Sequence, residues 1–96
     1  MRIAGRDKLE AFKRKHPQSR GPLDAWLAET SHASWRQSAD IKATYPKADW
    51  ISRNRVVFDI KGNKFRLVVL VYFNMGQVIV ERVRTQAEYD KWQLKR

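Results

Sequence analysis

No cysteine occurs among the 96 residues. That excludes disulfide staples, a thiolate nucleophile and Cys-based metal sites, and it fits a reducing interior. The only two histidines, His16 and His32, stand in or beside expected N-terminal helices without metal-ligand spacing, so both are read as incidental. There is no Ser/His/Asp arrangement, no P-loop and no Gly-rich dinucleotide turn, and no metal or cofactor is expected. The longest apolar run, Leu67 to Phe73, is far short of the ~20 residues that span a bilayer. With no signal-like apolar region at the N-terminus either, a cytoplasmic protein away from membranes is expected. Acid is scarce as well. The chain has 10 Asp+Glu against 20 Lys+Arg, a net charge of +10, and no acidic residue lies between Asp59 and Glu81, where Lys61, Lys64 and Arg66 sit. So basic a chain favours polyanionic partners, nucleic acid first, then an acidic protein or an anionic membrane surface.

What is present suffices for a core: 43% hydrophobic residues and 11% aromatics, including four Trp. The length fits one domain over residues 1–96, and no repeat, low-complexity segment or linker interrupts it. Leu9 and Phe12 predict a short amphipathic helix over Asp7–Lys15, closed by His16-Pro17 because the residue before proline is pushed out of α geometry. A second helix begins around Pro22, placed at a first helical position, buries Leu23, Trp26 and Leu27, and fades after Glu29. Ser38 is a candidate cap for a short helix that buries Ile41 and Tyr45 and stops before Pro46. From Arg55 the period becomes two. Arg55–Ile60, Lys64–Phe73 and Val78–Arg84 read as three antiparallel strands joined by turns at Lys61-Gly62-Asn63 and Asn74-Met75-Gly76. Thr85-Gln-Ala-Glu88 matches a capping box and opens a C-terminal helix. The expected class is α+β: N-terminal helices packed on a twisted three-stranded antiparallel sheet, with a short C-terminal helix.

Alternation along a strand sorts the side chains. On the middle strand Phe65, Leu67, Val69, Val71 and Phe73 face the helices, and Arg66, Val68, Leu70 and Tyr72 face the other way. On the last strand strict alternation groups Arg82 and Arg84 with Val78 and Val80, and groups Ile79 and Val83 with Glu81. If the Val78 face is also the Val68 face, then Arg66, Arg82 and Arg84 converge. The plain alternative is a solvated strand end in which Glu81, Glu88 and Asp90 are ordinary ion-pair partners. Tyr89 and Trp92, three residues apart on the last helix, are either core anchors or groups at the edge of a site.

The residues carry a resemblance over nearly the whole chain. Asn54-Arg55-Val-Val-Phe, Lys61-Gly62-Asn63-Lys64-Phe65-Arg66-Leu67-Val68-Val69 and the closing Thr85-Gln86-Ala87-Glu88-Tyr89-Asp90 resemble the HigB toxins of bacterial toxin–antitoxin modules, a branch of the RelE superfamily. Trp35, Ala39-Asp40-Ile41-Lys42 and Tyr45-Pro46 fit the same pattern. The resemblance implies a helix pair on a twisted antiparallel sheet and an endoribonuclease that cleaves translated mRNA in the ribosomal A site. It also implies a cognate antitoxin, a HigA-like helix-turn-helix protein, as inhibitor. The family's closing motif usually reads Gly-Thr-His-Ala-Glu-Tyr-Asp. Here Arg84 replaces the glycine and Gln86 the histidine, and an amide cannot exchange a proton near neutral pH.

Metal-independent RNA cleavage uses the neighbouring 2′-OH as nucleophile. It needs charge neutralisation at phosphorus and two proton transfers. Arginine suits the first, since a planar guanidinium holds two phosphate oxygens and keeps its charge. Arg66 with Arg82 or Arg84 is assigned to that role, and Tyr89 or Lys64 to proton transfer. Arg55, Lys61, Asn63, Lys64 and Gln86 are assigned to RNA contact. Two other readings stay open: a protein that binds RNA or the ribosome without cutting, and a basic interaction domain for an acidic protein.

Overall fold

The computed structural model describes residues 1–95 and the side chains of residues 1–92. The period-two region forms the expected meander: β3 (Arg55–Ile60), β4 (Phe65–Tyr72) and β5 (Gln77–Thr85), each antiparallel to the next. The sheet has five strands, however, not three. Besides the meander it holds β1 (Arg2–Ala4) and β2 (Asp49–Trp50), in the order β1-β5-β4-β3-β2. β1 runs parallel to β5, and β2 antiparallel to β3. Segments of three and two residues are too short to display a period of two, so only tertiary pairing reveals them.

The helices follow the sequence signals with shifted ends. α1 (Arg6–Lys15) stops at His16 before Pro17, which opens a single 3-10 turn. α2 (Arg20–His32) starts two residues before Pro22 and runs three past Glu29. Pro22 therefore lies inside the first turn, where its missing N–H has no intrahelical acceptor in any case. α3 (Ser38–Thr44) is capped not by Ser38 but by Gln37, whose side chain accepts from the backbone of Asp40 while Asp40 reaches back. α4 (Gln86–Lys95) follows β5 without a loop.

Two apolar clusters sandwich the sheet. On one face Leu9, Phe12, Leu23, Trp26, Trp35 and Ile41 pack on Val56, Phe58, Leu67, Val69, Val71, Val78, Val80 and Val83. Large rings dominate that core: Trp26 meets Phe58 edge-on at 5.6 Å and Phe12 meets Phe65 at 5.4 Å, geometries favoured by the ring quadrupoles. α1 and α2 are also joined by charge, because the buried Lys13 ammonium binds both Glu10 at 2.6 Å and Asp24. Burial works against that charge, but the hydrogen bonds to Asp24 and Glu10 outweigh it and its pKa is raised. The other face carries only a small cluster, Val57, Val68 and Tyr89, with Ile51 and Trp92 against it. This lightly covered face is where polar chemistry has room.

Gly5 sets how closely the start of α1 approaches β5. Its φ is +83°, and a Cβ placed there would lie 2.7 Å from the carbonyl oxygen of Val80. Gly5→Ala therefore meets both left-handed strain and a backbone clash, and should destabilise by at least ~1 kcal/mol. Gly21→Ala, in α2 with nothing within 4 Å, should leave the melting temperature unchanged or slightly raised. Thermal unfolding of the two variants by circular dichroism checks the contrast.

Candidate active site

One irregularity in β5 decides which residues reach the open face. β4 and β5 pair Val71 with Val78 and Val69 with Val80, but Val68 then pairs with Arg82. Glu81 is the extra residue of a β-bulge, which resets the alternation. Val78 and Val80 thus point into the main core, and so does Val83, while Arg82 and Arg84 turn to the opposite face with Arg66 and Val68. Strict alternation had put Arg82 and Arg84 on the Val78 face and Val83 on the other. The bulge corrects both assignments, and the arginines share the Arg66 face because of it.

The side chains on this face are paired. Arg66 NH1 lies 3.0 Å from Asp59 Oδ1, its direct cross-strand neighbour. Arg55 donates through Nε and NH2 to Glu81 Oε2, at 3.2 and 2.6 Å, and Arg82 Nε sits 3.8 Å from Glu81 Oε1. The two acids that bound the acid-free stretch are thus the ones that hold its arginines. Arg82 also stacks on Trp92, 4.4 Å from the ring centroid, and Arg66 lies 6.0 Å from the Tyr89 centroid. Beside them opens a cleft of about 420 Å³ between the α3–β2 segment and α4, lined by Lys42, Lys47, Asp59, Arg66, Gln86 and Asp90, with Tyr89 and Asp49. Gln86 Nε2 donates to Asp90 Oδ1 at 2.8 Å. Four side-chain atoms here, Arg66 NH1, Arg82 Nε, Glu81 Oε1 and Gln86 Oε1, are buried without a well-aligned hydrogen bond, the first three being held by the ion pairs above. Buried polar atoms normally find one, and two of these four are guanidinium nitrogens.

Of the residues singled out in the sequence, Arg55, Arg66, Arg82, Gln86 and Tyr89 gather on or beside this face. Tyr89 is only 5% exposed and is both a core anchor and part of the cleft wall. Arg84, directly opposite Arg66 in register, turns away and donates to the carbonyl of Val83 at 2.9 Å. Two like charges set directly opposite repel, and the exposed Arg84 is free to swing out. Lys61, Asn63 and Lys64 form the exposed β3–β4 turn, and both ammonium groups reach Gln18 Oε1, at 3.4 and 3.2 Å, rather than the cleft. Sequence reasoning missed Lys42, Lys47, Asp49, Asp59 and Asp90. Asp59 was within reach: counting outward from the turn, Ile60 pairs with Phe65, and the next pair is Asp59 with Arg66. Among the described residues no group of three or more His, Asp or Glu side chains is set to hold a metal ion, and none of the helices is long and apolar enough to cross a membrane.

The family described as HigB_toxin, the RelE-like toxic component of a toxin–antitoxin system, matches residues 19–92. The chain belongs to this family. It is also similar to the mRNA interferase toxin HigB of Escherichia coli K12 and to the mRNA interferases HigB of Escherichia coli O157:H7 and Shigella flexneri. Each is 26% identical over 93 residues, covering 94% of this chain and 88% of the relative. As a HigB toxin it has an antitoxin for a partner. The matched region takes in the whole open face and the cleft, from Lys42 through Trp92.

The toxin's cleft wall depends on α4 staying docked. The expected capping box forms: the Thr85 amide donates to Glu88 Oε1 at 3.0 Å, and the Glu88 amide donates to Thr85 Oγ1 at 3.3 Å. The Thr85 amide, chiefly, holds the Glu88 carboxyl below the ordinary glutamate range, with Arg84 and His16 adding to the effect. A depressed folded pKa stabilises above the unfolded value, and that stability is lost as pH falls through the folded one. Glu88→Gln should therefore lower stability at pH 7 by about 0.5 kcal/mol, a small amount because the carboxylate is exposed. Urea unfolding should show the two proteins converging as pH falls through the folded pKa of Glu88.

Proposed function

We propose that this toxin is a ribosome-dependent mRNA endoribonuclease that cuts translated message by attack of the neighbouring 2′-OH. The observation that carries the reading is the pair of guanidinium groups, Arg66 and Arg82, brought to one face and held there by ion pairs to Asp59 and Glu81 beside a polar cleft. The relatives are named as mRNA interferases, which points to the same substrate. In this reading Arg66 and Arg82 bind the scissile phosphate and stabilise the charge that grows on it in the transition state. Asp59 and Glu81 hold both side chains in place until RNA arrives, so the phosphate meets oriented donors and less ordering is needed on binding. Arg55 shares Glu81 with Arg82 and contributes charge from the rim.

The proton transfers fall to the groups lining the cleft. Tyr89, set against Arg66, stands beside the carboxylates Asp59 and Asp90 and the ammonium groups of Lys42 and Lys47. Lys64 is poorly placed for that task, since it is turned toward Gln18. Gln86 cannot exchange a proton and serves to position RNA or Asp90 through its amide. Arg84, Lys61 and Asn63 would contact RNA only outside the cleft. The toxin acts in the cytoplasm, where translating ribosomes are, and a HigA-like helix-turn-helix antitoxin restrains it by keeping the basic surface off the A site. The absence of histidine from the cleft favours a second reading, in which the protein binds ribosomal mRNA and blocks translation without cutting.

Expression followed by mapping of transcript 5′ ends separates these readings. The wild-type chain should create new 5′ ends within translated frames. Arg66→Ala or Arg82→Ala should reduce them ~10²–10³-fold, as removal of a transition-state donor does. Gln86→Ala should cost no more than one neutral hydrogen bond, ~0.5–1.5 kcal/mol, and Gln86→His should raise cleavage. Growth arrest with no new 5′ ends, in both the wild type and Gln86→His, would replace the nuclease by the occupancy reading.

A further inference from the structure

We propose that the free edge of β5, from Glu81 to Thr85, is a docking groove in which an extended acidic segment of the antitoxin adds as a further strand. The inference rests on the family membership and does not depend on RNA cleavage. β1 covers the β5 edge only as far as Ile79, its last partner being Ala4. Beyond that point the main-chain groups are met by side chains. Lys8 Nζ donates to the Glu81 carbonyl at 3.2 Å, Arg84 NH1 to the Val83 carbonyl at 2.9 Å, and the Thr85 amide donates to Glu88 Oε1 at 3.0 Å. The groups met in this way belong to alternate residues, 81, 83 and 85, the spacing at which an added strand would hydrogen-bond.

A groove of about 320 Å³ runs between this edge and the flank of α1, where Lys8, Ala11 and Lys15 stand, with Phe12 at its floor. Lys8, Lys15 and Arg84 are all exposed. Their long side chains can leave the carbonyls to a partner's N–H groups and turn to its carboxylates. Backbone pairing would supply affinity and the three cations would select for acid, the usual division of labour when a peptide extends a sheet. RNA fits less well, because Glu81 and Glu88 also line the groove and a phosphate backbone brings no row of N–H donors. This edge adjoins the back of Arg82, so an antitoxin strand here would reach the bulge that aims the arginines without entering the cleft.

The test uses the full-length toxin and the antitoxin encoded beside it, co-expressed and purified as the complex. Amide hydrogen exchange over residues 81–85 should slow at least tenfold in the complex relative to free toxin. Lys8→Glu with Lys15→Glu should weaken antitoxin binding at least tenfold while melting temperature stays as in the wild type and RNA binding falls by less than antitoxin binding. If that variant folds poorly, Lys8→Gln with Lys15→Gln gives the same comparison, and the exchange measurement needs no variant. Unchanged exchange at the edge together with unchanged binding by the variant would overturn the proposal. So would a variant that keeps the antitoxin but loses RNA, which would make the groove part of the RNA path.

Discussion

A single extra residue governs this protein's surface chemistry. Without the bulge at Glu81, Arg82 and Arg84 would follow Val78 and Val80 into the face packed by α1 and α2, where an uncompensated guanidinium is costly to bury. With it, three valines enter the core and the arginines leave it. The same residue supplies the carboxylate that holds Arg55 and Arg82. Its carbonyl faces the outer edge of the strand, where Lys8 meets it. Main-chain register, side-chain pairing and edge chemistry therefore meet at one position. Changing the length of β5 there would alter all three at once.

The charge pattern also changes meaning once the chain folds. As a sequence, the segment between Asp59 and Glu81 reads as purely basic. In space, register brings those flanking acids back onto its arginines, and the cleft lining holds three carboxylates, Asp49, Asp59 and Asp90, beside Lys42, Lys47 and Arg66. The candidate site is less a basic patch than a set of ion pairs. In the proposed mechanism the overall charge would draw RNA in, and a phosphate would be gripped where it displaces or joins these ion pairs.

Much of the fold was legible because its signals are local. The meander, its two turns, the Thr85–Glu88 capping box and the helix stops before Pro17 and Pro46 each depend on a few neighbouring residues. What escaped was set at long range. β1 and β2 exist only through pairing with strands far away in sequence, and the bulge is invisible in a stretch whose residues all suit a strand. The placement of the candidate residues was legible to the same degree: Arg66, Arg82 and Tyr89 lie on one face, a grouping reached from a mistaken parity. Lys64 and Arg84 point away from the cleft, because parity gives the face of a strand and not the direction of a long flexible side chain. Lys42, Lys47 and Asp49 arrive from a separate segment, so no motif around the arginines could have included them.

The most direct measurement is a structure of this toxin on a translating ribosome whose mRNA carries a 2′-O-methyl group at the scissile nucleotide. Blocking the nucleophile should leave the message uncut and bound, with the scissile phosphate contacted by Arg66 and Arg82 and the flanking nucleotide in the cleft beside Gln86 and Tyr89. Cleavage that proceeds despite the methyl group would contradict the 2′-OH mechanism. A phosphate held away from both arginines would contradict the site itself.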